Sequence, residues 1–575
     1  MALTPLTSGP WTGVYDTTDP YDDQPDKLVN ATNGYFLDPT TPGGFYSRPG
    51  FTQGPAHIFR NPGAQSGAYS FANADGTFTT FVAVDGKVYR QGYAGVALTL
   101  DDVTPTGVTI SNDDGTSTPP TTRYYMTQLA GNLVFSDGVN PVWLGSALTS
   151  TPITAAAIDV DGAGGTYAIQ GAPTLYQGSL VMILKSVGTA VLNTQPGVGF
   201  LWCEPNQPSV GYEQSGYADF FNYIQTGSAP LYAALGTNEG LVLWREAAIG
   251  IANGPLNQLQ SSPTTATVAT NVGTAAPACV VTFGRHIYFV DRLGRPYRML
   301  PDGSAPEPIW QQMRGQYDRT PDYLAHPAAT ALVGHAWIDP QLNLVLMAPY
   351  TASASGSGGN YTALAPNVAF AFHAETGIYL GVWQLGGGGY SLNCATTFRD
   401  NNGNPVTLLV QEDDAALAYW IWVGAALSAG QWVDYNKDPI RLPLDPAPSV
   451  TTGRLGYNES VTWSCRNATA VVMTDEPGVM TVTTPYVSSA SEGTITTQGS
   501  YDGTHRGVYG PNILAARGMQ VTVAASGGNP SLEAEDGNAL IAEDGVALVV
   551  QASAQWGIQR VALLASPRRA TIYDA

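Results

Sequence analysis

Residues 267–300 read TVATNVGTAAPACVVTFGRHIYFVDRLGRPYRML, and the punctuation of this stretch decides the fold class. Residues 278–283 are an apolar, β-rich run, Gly284-Arg285 is a tight break, and residues 286–290 are a second run. Residues 291–294 (Asp-Arg-Leu-Gly) form a turn, and residues 295–300 are a third run. Short runs joined by turns of two to four residues predict an antiparallel meander.

The same texture extends in both directions. In residues 78–91 Asp85-Gly86 joins two runs, where glycine accepts the positive φ of a hairpin turn. Related hairpins turn at Asp137-Gly138, near Gly188, near Asn238-Glu239-Gly240, at Asp291 and at Pro340-Gln341. Taking Asp85, Asp137, Gly188, Glu239, Asp291 and Pro340 as markers, the steps are 52, 51, 51, 52 and 49 residues. A repeat near fifty residues, built of about four short strands, predicts an all-β chain with a β-propeller of six or seven blades.

Composition fits that class. The chain has 575 residues, 65 Gly and 41 Pro, only 12% charged residues, a formal net charge of −21 and a pI near 4.5. Its length exceeds what one core usually fills, so more than one domain is expected. The lysines are Lys27, Lys87, Lys185 and Lys437. A surface so poor in cations lacks the clustered Lys and Arg that phosphate binding requires, and the pair Arg568-Arg569 reads as a solvated tail. Cys203, Cys279, Cys394 and Cys465 match no zinc-ligand spacing and no small disulfide framework, which predicts buried thiols. Residues 1–13 show no basic n-region with an apolar core, and no run of about twenty apolar residues suggests a membrane span.

Three segments are expected. Residues 1–60 read as an extended, proline-rich N-terminal arm with aromatic anchors at Tyr35, Phe36, Phe45, Tyr46 and Phe51, docking on its own domain or on a neighbour. Residues 61–435 carry the propeller, with loop tips at 111–120 and 351–360. Residues 436–575 follow a proline-rich stretch, 438–448, and read as a β-sandwich-like domain with an acidic ribbon at 532–550, where Glu-Asp-Gly occurs twice. Charge on that ribbon is expected to blunt a sheet edge; a calcium site or a lining that repels phosphate is the other reading.

No motif names a catalytic, cofactor-binding or metal residue, and no enzyme activity or cofactor is expected. The Asp159-Val-Asp161-Gly stretch starts like a calcium loop, but Ala163 and Gln170 stand where ligands are needed. Residues 111–116 and 500–504 resemble incomplete Asp-box turns. His57, His286, His326, His335, His373 and His505 form no metal-ligating spacing. Asp101-Asp102, Asp113-Asp114 and Asp413-Asp414 are adjacent, so on a strand their side chains point to opposite faces.

Several runs together resemble a known family. They are residues 199–208 (GFLWCEPNQP) with 216–221 (GYADFF), residues 241–251, 271–277 and 287–294, the early Ser47-Arg48-Pro49-Gly50-Phe51, and residues 367–383. In this order they resemble the nozzle, or tubular-tail, proteins of short-tailed bacteriophages. The resemblance implies a structural virion protein, a homohexameric ring in the tail below the portal and its adaptor. It also implies contacts with distal tail proteins and tail fibres or spikes, and a channel through which DNA is ejected without specific binding. Six copies at −21 would carry about −126, a charge expected to line the channel in part. The proline-rich arm is then the candidate ring contact, and removing residues 1–45 is expected to impair assembly more than folding.

Two readings from other classes stand beside this one. A propeller that binds carbohydrate, with or without glycosidase activity, would use Trp202, Trp244, Trp310 and Trp383 as stacking platforms. A receptor-binding tail spike would show short, regular coil repeats, and none is found.

Overall fold

Strands buried on both faces read as continuous apolar runs. Leu241–Arg245 and Leu344–Ala348 are buried at every residue, and Asn132–Ser136 and His286–Val290 at all but the first. Each is the second strand of its hairpin set, enclosed by neighbouring sheets on both sides. The computed structural model describes residues 4–16, 24, 26–36, 43–48, 51–53, 58–59, 67–84, 86–94, 97–111, 124–159, 168–184, 199–211, 220–222, 231–256, 264–315, 334–348, 351–354, 361–364, 368–385, 390–399, 405–413, 418–424, 448–452, 455, 461–472, 478–488, 491–501, 506–509, 513–516, 519–525 and 557–569. Their structure is all-β, and the named helical pieces are two 3₁₀ turns, Pro277–Cys279 and Ile309–Met313.

Five free-standing sheets of four or five strands make regular propeller blades. They begin with the innermost strands Gly67–Ala72, Tyr125–Leu129, Ile169–Tyr176, Leu231–Gly236 and Tyr390–Arg399. Two further sectors fill the ring between the fourth and fifth of these: a three-stranded sheet starting at Val281–Phe283, and the first four strands of a nine-stranded sheet starting at His335–Asp339. The spacing predicted six or seven blades; among the described residues five regular ones are present, because these two sectors depart from the pattern. The innermost strands start 44 to 62 residues apart. Of the marker turns that are described, Asp137 and Asp291 follow a second strand, whereas Glu239 and Pro340 follow a first strand, so the regular step mixed two kinds of turn.

Neighbouring innermost strands lie close around the axis. The Gln128 side chain accepts from Ala72 N–H at 2.8 Å and donates to Ala72 C=O at 2.7 Å, and Thr174 Oγ1 accepts from Gly236 N–H at 3.0 Å. At Gly236 a Cβ would strike the Leu175 carbonyl, so the close approach needs glycine there.

The N-terminal residues are woven through the whole chain. Phe51–Gln53 and Ile58–Phe59 pair antiparallel with Ala418–Gly424 and complete the last blade. Leu28–Thr32 joins Tyr379–Gln384 in parallel at Thr32↔Val382 and Ser449–Thr452 antiparallel, so one sheet runs from the propeller into the C-terminal strands. Thr4–Ser8 and Phe45–Ser47 pair with Gly557–Arg569 in a second, seven-stranded sheet. One apolar core, including Trp11, Leu28, Phe36, Phe45, Tyr379, Trp383, Val450 and Val561, spans these elements. Of the two expected placements of these residues, on their own domain or on a neighbour, the chain shows the first: every described strand between residues 4 and 59 pairs within its own chain. The acidic ribbon at 532–550 lies outside the described residues.

Candidate functional site

Two places concentrate buried polar chemistry: the seam where the N-terminal residues meet the propeller, and the turns after the blade strands. At the seam Asn33 adopts φ 53°, a left-handed conformation that asparagine tolerates. Its side chain accepts from Gln384 N–H at 2.8 Å and donates to Gln384 Oε1 at 3.2 Å. Arg48 is fully buried; it donates from Nη2 to Gln384 C=O at 2.9 Å, and its guanidinium lies 5.6 Å from the centre of the Trp383 ring. Trp383 donates from Nε1 to Gly34 C=O at 2.9 Å. Arg48 and Trp383 belong to the first and last runs of the family resemblance, and the fold brings them together.

The turns use aspartate as a local organiser. Asp137 is fully buried and accepts from the N–H groups of Val139, Asn140 and Ser111 and from Asn140 Nδ2, at 2.6–2.9 Å. Asp291 accepts from Leu293 and Arg295 N–H at 2.9 Å and pairs with the Arg295 guanidinium at 2.6 Å, which in turn lies 5.0 Å from the Trp310 ring centre. Satisfied carboxylates of this kind hold turns, and they leave no lone pair poised for acid–base work. Asp339 accepts from Gln341 and Leu342 N–H at 3.0 and 3.1 Å, and burial pushes its carboxyl above the usual aspartate range. Burial likewise pushes the Tyr288 hydroxyl up to about 12, while it donates to Ala374 C=O at 2.8 Å.

Six cations among the described propeller residues are held in ion pairs. Lys87, Arg90, Arg285, Arg292, Arg295 and Arg298 each form an ion pair, with Asp102, Asp101, Glu239, Glu246, Asp291 and Glu307 respectively. Asp101 and Asp102 thus reach different cations, as opposite-facing neighbours should. In an antiparallel meander the turns after first and third strands share one face of the ring. On that face Asp75, Glu204, Glu239, Asp302, Glu307 and Glu375 are all exposed. Two of the six are matched, by Arg285 and Arg298.

The four tryptophans considered as sugar platforms are core residues: Trp202, Trp244 and Trp383 are buried, and half-buried Trp310 packs under Arg295. Cys203, Cys279 and Cys394 are buried as expected. His335 and His373 are buried and His286 is half-buried; the other histidines lie outside the described residues. Among the described residues no group of three or more His, Cys, Asp or Glu is placed to hold a metal ion, and no helix is long and apolar enough to cross a membrane. Of the calcium-loop-like stretch only Asp159, Ala168, Ile169 and Gln170 are described, and of the Asp-box-like turns only Ser111, Ser500 and Tyr501.

No family model matches the chain, and no curated protein matches it. Among solved structures it is similar to the computationally designed Ika8 protein, at 10% identity and a TM-score of 0.31 over 66% of this chain and 97% of that one. It is also similar to the exo-β-1,3-galactanase of Phanerochaete chrysosporium determined with galactose, at 8% identity and a TM-score of 0.25 over 76% and 95%. Likenesses this distant carry no argument about activity.

Proposed function

We propose that this β-propeller protein is a structural subunit of a short-tailed bacteriophage tail, a nozzle that assembles as a homohexameric ring beneath the portal and its adaptor. The observation that carries the reading is the sorting of charge. Six propeller cations are each held by a carboxylate, while one turn face presents six exposed acids. Binding a duplex requires unpaired Lys and Arg to displace the counterions of its phosphates, and pairing removes them from that role. Exposed acids act over a Debye length of about 8 Å at physiological salt, so a conduit wall bearing them repels a duplex only at close range. DNA can then pass without adhering. The seam supports the same reading, because a core shared by the propeller and the C-terminal strands suits a subunit that transmits force along a tail.

The test combines light scattering with end-on negative-stain imaging of the purified protein, followed by DNA retention at low salt. Sixfold rings with an open centre and no DNA retention are expected. A monomer or trimer that binds polysaccharide would replace the nozzle with the carbohydrate-binding or spike reading. Replacing Asp75, Glu204, Asp302 and Glu375 by Lys should make the rings retain DNA, with the retention lost as salt rises.

A further inference from the structure

The dipeptide Asn-Gly occurs at 33–34, 253–254 and 402–403, and the first two lie among the described residues. In this dipeptide the asparagine side chain is readily attacked by the next backbone nitrogen, because glycine carries no Cβ to obstruct the approach. Attack also needs room for the asparagine to turn onto that nitrogen, and the fold treats the two sites in opposite ways.

Asn33 is locked. It is buried, its Oδ1 accepts from Gln384 N–H at 2.8 Å, and its Nδ2 donates to Gln384 Oε1 at 3.2 Å. Its C=O accepts from Arg48 N–H at 2.9 Å, and Gly34 C=O accepts from Trp383 Nε1 at 2.9 Å. Asn253 is exposed, the last residue of Ala248–Asn253 and of its ladder with Thr264–Thr270. Gly254 then adopts φ 112°, a conformation that favours glycine.

The Asn253-Gly254 turn also joins blades. Gly254 C=O accepts from Tyr176 Oη at 3.0 Å and from Gln177 Nε2 at 3.1 Å, and Gln177 Oε1 accepts from Leu256 N–H at 3.3 Å. The blade starting at Ile169–Tyr176 is thereby tied to the one starting at Leu231–Gly236. Asn253 Oδ1 lies against Gly240, where a Cβ would strike it, and the adjacent Glu239 pairs with Arg285 at 2.6 Å.

We propose that Asn253 is a site of spontaneous modification, which deamidates in the folded protein and loosens the joint between these two blades. The Gly254 nitrogen attacks Asn253 Cγ and loses its proton, the Cγ–Nδ2 bond breaks, and ammonia leaves. The succinimide so formed takes up water at Cγ, giving aspartate, or at the main-chain carbonyl, giving isoaspartate. No oxidant or reductant is needed. Either product places a carboxylate on the turn face that carries the exposed acids, close to the Glu239–Arg285 pair. Isoaspartate also lengthens the backbone by one methylene just before Gly254, which displaces the carbonyl that Tyr176 and Gln177 hold. The inference stands apart from the ring reading.

The experiment ages the full-length protein in mildly alkaline buffer, folded and in urea, and maps both samples by digestion and mass spectrometry. In both, the peptide containing Asn253 is expected to gain the mass of one amide-to-acid exchange and to split into two chromatographic forms. Asn33 is expected to convert only in urea. Folded protein in which Asn253 stays intact, or in which Asn33 converts as fast, would overturn the site. Thermal unfolding then tests the joint. Aged wild type should melt below fresh wild type, whereas Asn253→Gln, whose longer side chain closes the ring poorly, should keep its melting temperature on ageing. An equal loss in the variant, or no loss in the wild type, would overturn the loosening.

Discussion

The blade built from Leu231–Gly236, Leu241–Arg245, Ala248–Asn253 and Thr264–Thr270 closes on itself within forty contiguous residues. The sector starting at His335–Asp339 does the opposite: its fourth strand, Tyr379–Gln384, passes its outer edge to Leu28–Thr32. In the first case each strand pairs with its neighbour in sequence, so the loop-closure cost is small. In the second, the Asn33, Arg48 and Trp383 bonds join residues 336 to 351 positions apart. The parallel pairing there is a single residue pair, Thr32↔Val382, so side chains and the shared core hold what backbone bonds do not. Blades are local units, whereas the seam exists only when the whole chain is in place.

The largest test of this contrast is removal of residues 1–45. It takes the strand Leu28–Thr32 from the interior of the nine-stranded sheet and Thr4–Ser8 from the seven-stranded one, so the expected outcome is loss of the soluble folded chain. A truncated protein with a wild-type melting curve would mean that the seam is dispensable. Next is Trp383→Ala, expected to cost about 3–5 kcal/mol in denaturant unfolding, the range for a buried aromatic. The change also removes the bond to Gly34 C=O and the ring beneath buried Arg48. If the propeller and C-terminal strands form one cooperative unit, both should unfold in one shifted transition; two separate transitions would show that they are independent.

The same contrast explains what could be read from the sequence. Turns such as Asp137-Gly138 and residues 291–294 were legible because one aspartate accepts the N–H groups of its own turn, which leaves a local signature. The turn near Glu239 looked equivalent, but it closes a first-strand hairpin, since Gly and polar residues mark both kinds of turn alike. The proline-rich N-terminal residues looked like an arm because nothing in LVNAT or FYS names partners near residues 382, 450 or 558. Trp202 and Trp244 looked available for sugar, yet alternation cannot mark a strand buried on both faces. Sorting of the charges was invisible as well: Arg285 and Glu239, for example, are 46 positions apart.

The smallest expected effect lies where the self-contained and interlocked parts of the ring meet. Asp339 ends the innermost strand of the interlocked sector, beside Thr397 of the last blade, whose Oγ1 donates to Ile338 C=O at 2.8 Å. The residue is half-buried, and desolvation raises its pKa above the ordinary 3.8. An acid raised in the folded state binds its proton more readily there than in the unfolded chain. The stability this contributes is fully present below the unfolded value and is lost as the pH rises through the folded one. Asp339→Asn keeps an oxygen for the Gln341 and Leu342 N–H groups and removes the buried charge. The variant should therefore match the wild type near pH 3 and melt at a higher temperature than it does at neutral pH. Superimposable pH–stability curves would mean that the carboxylate is solvated in the folded chain, and that this junction between sectors is open to water.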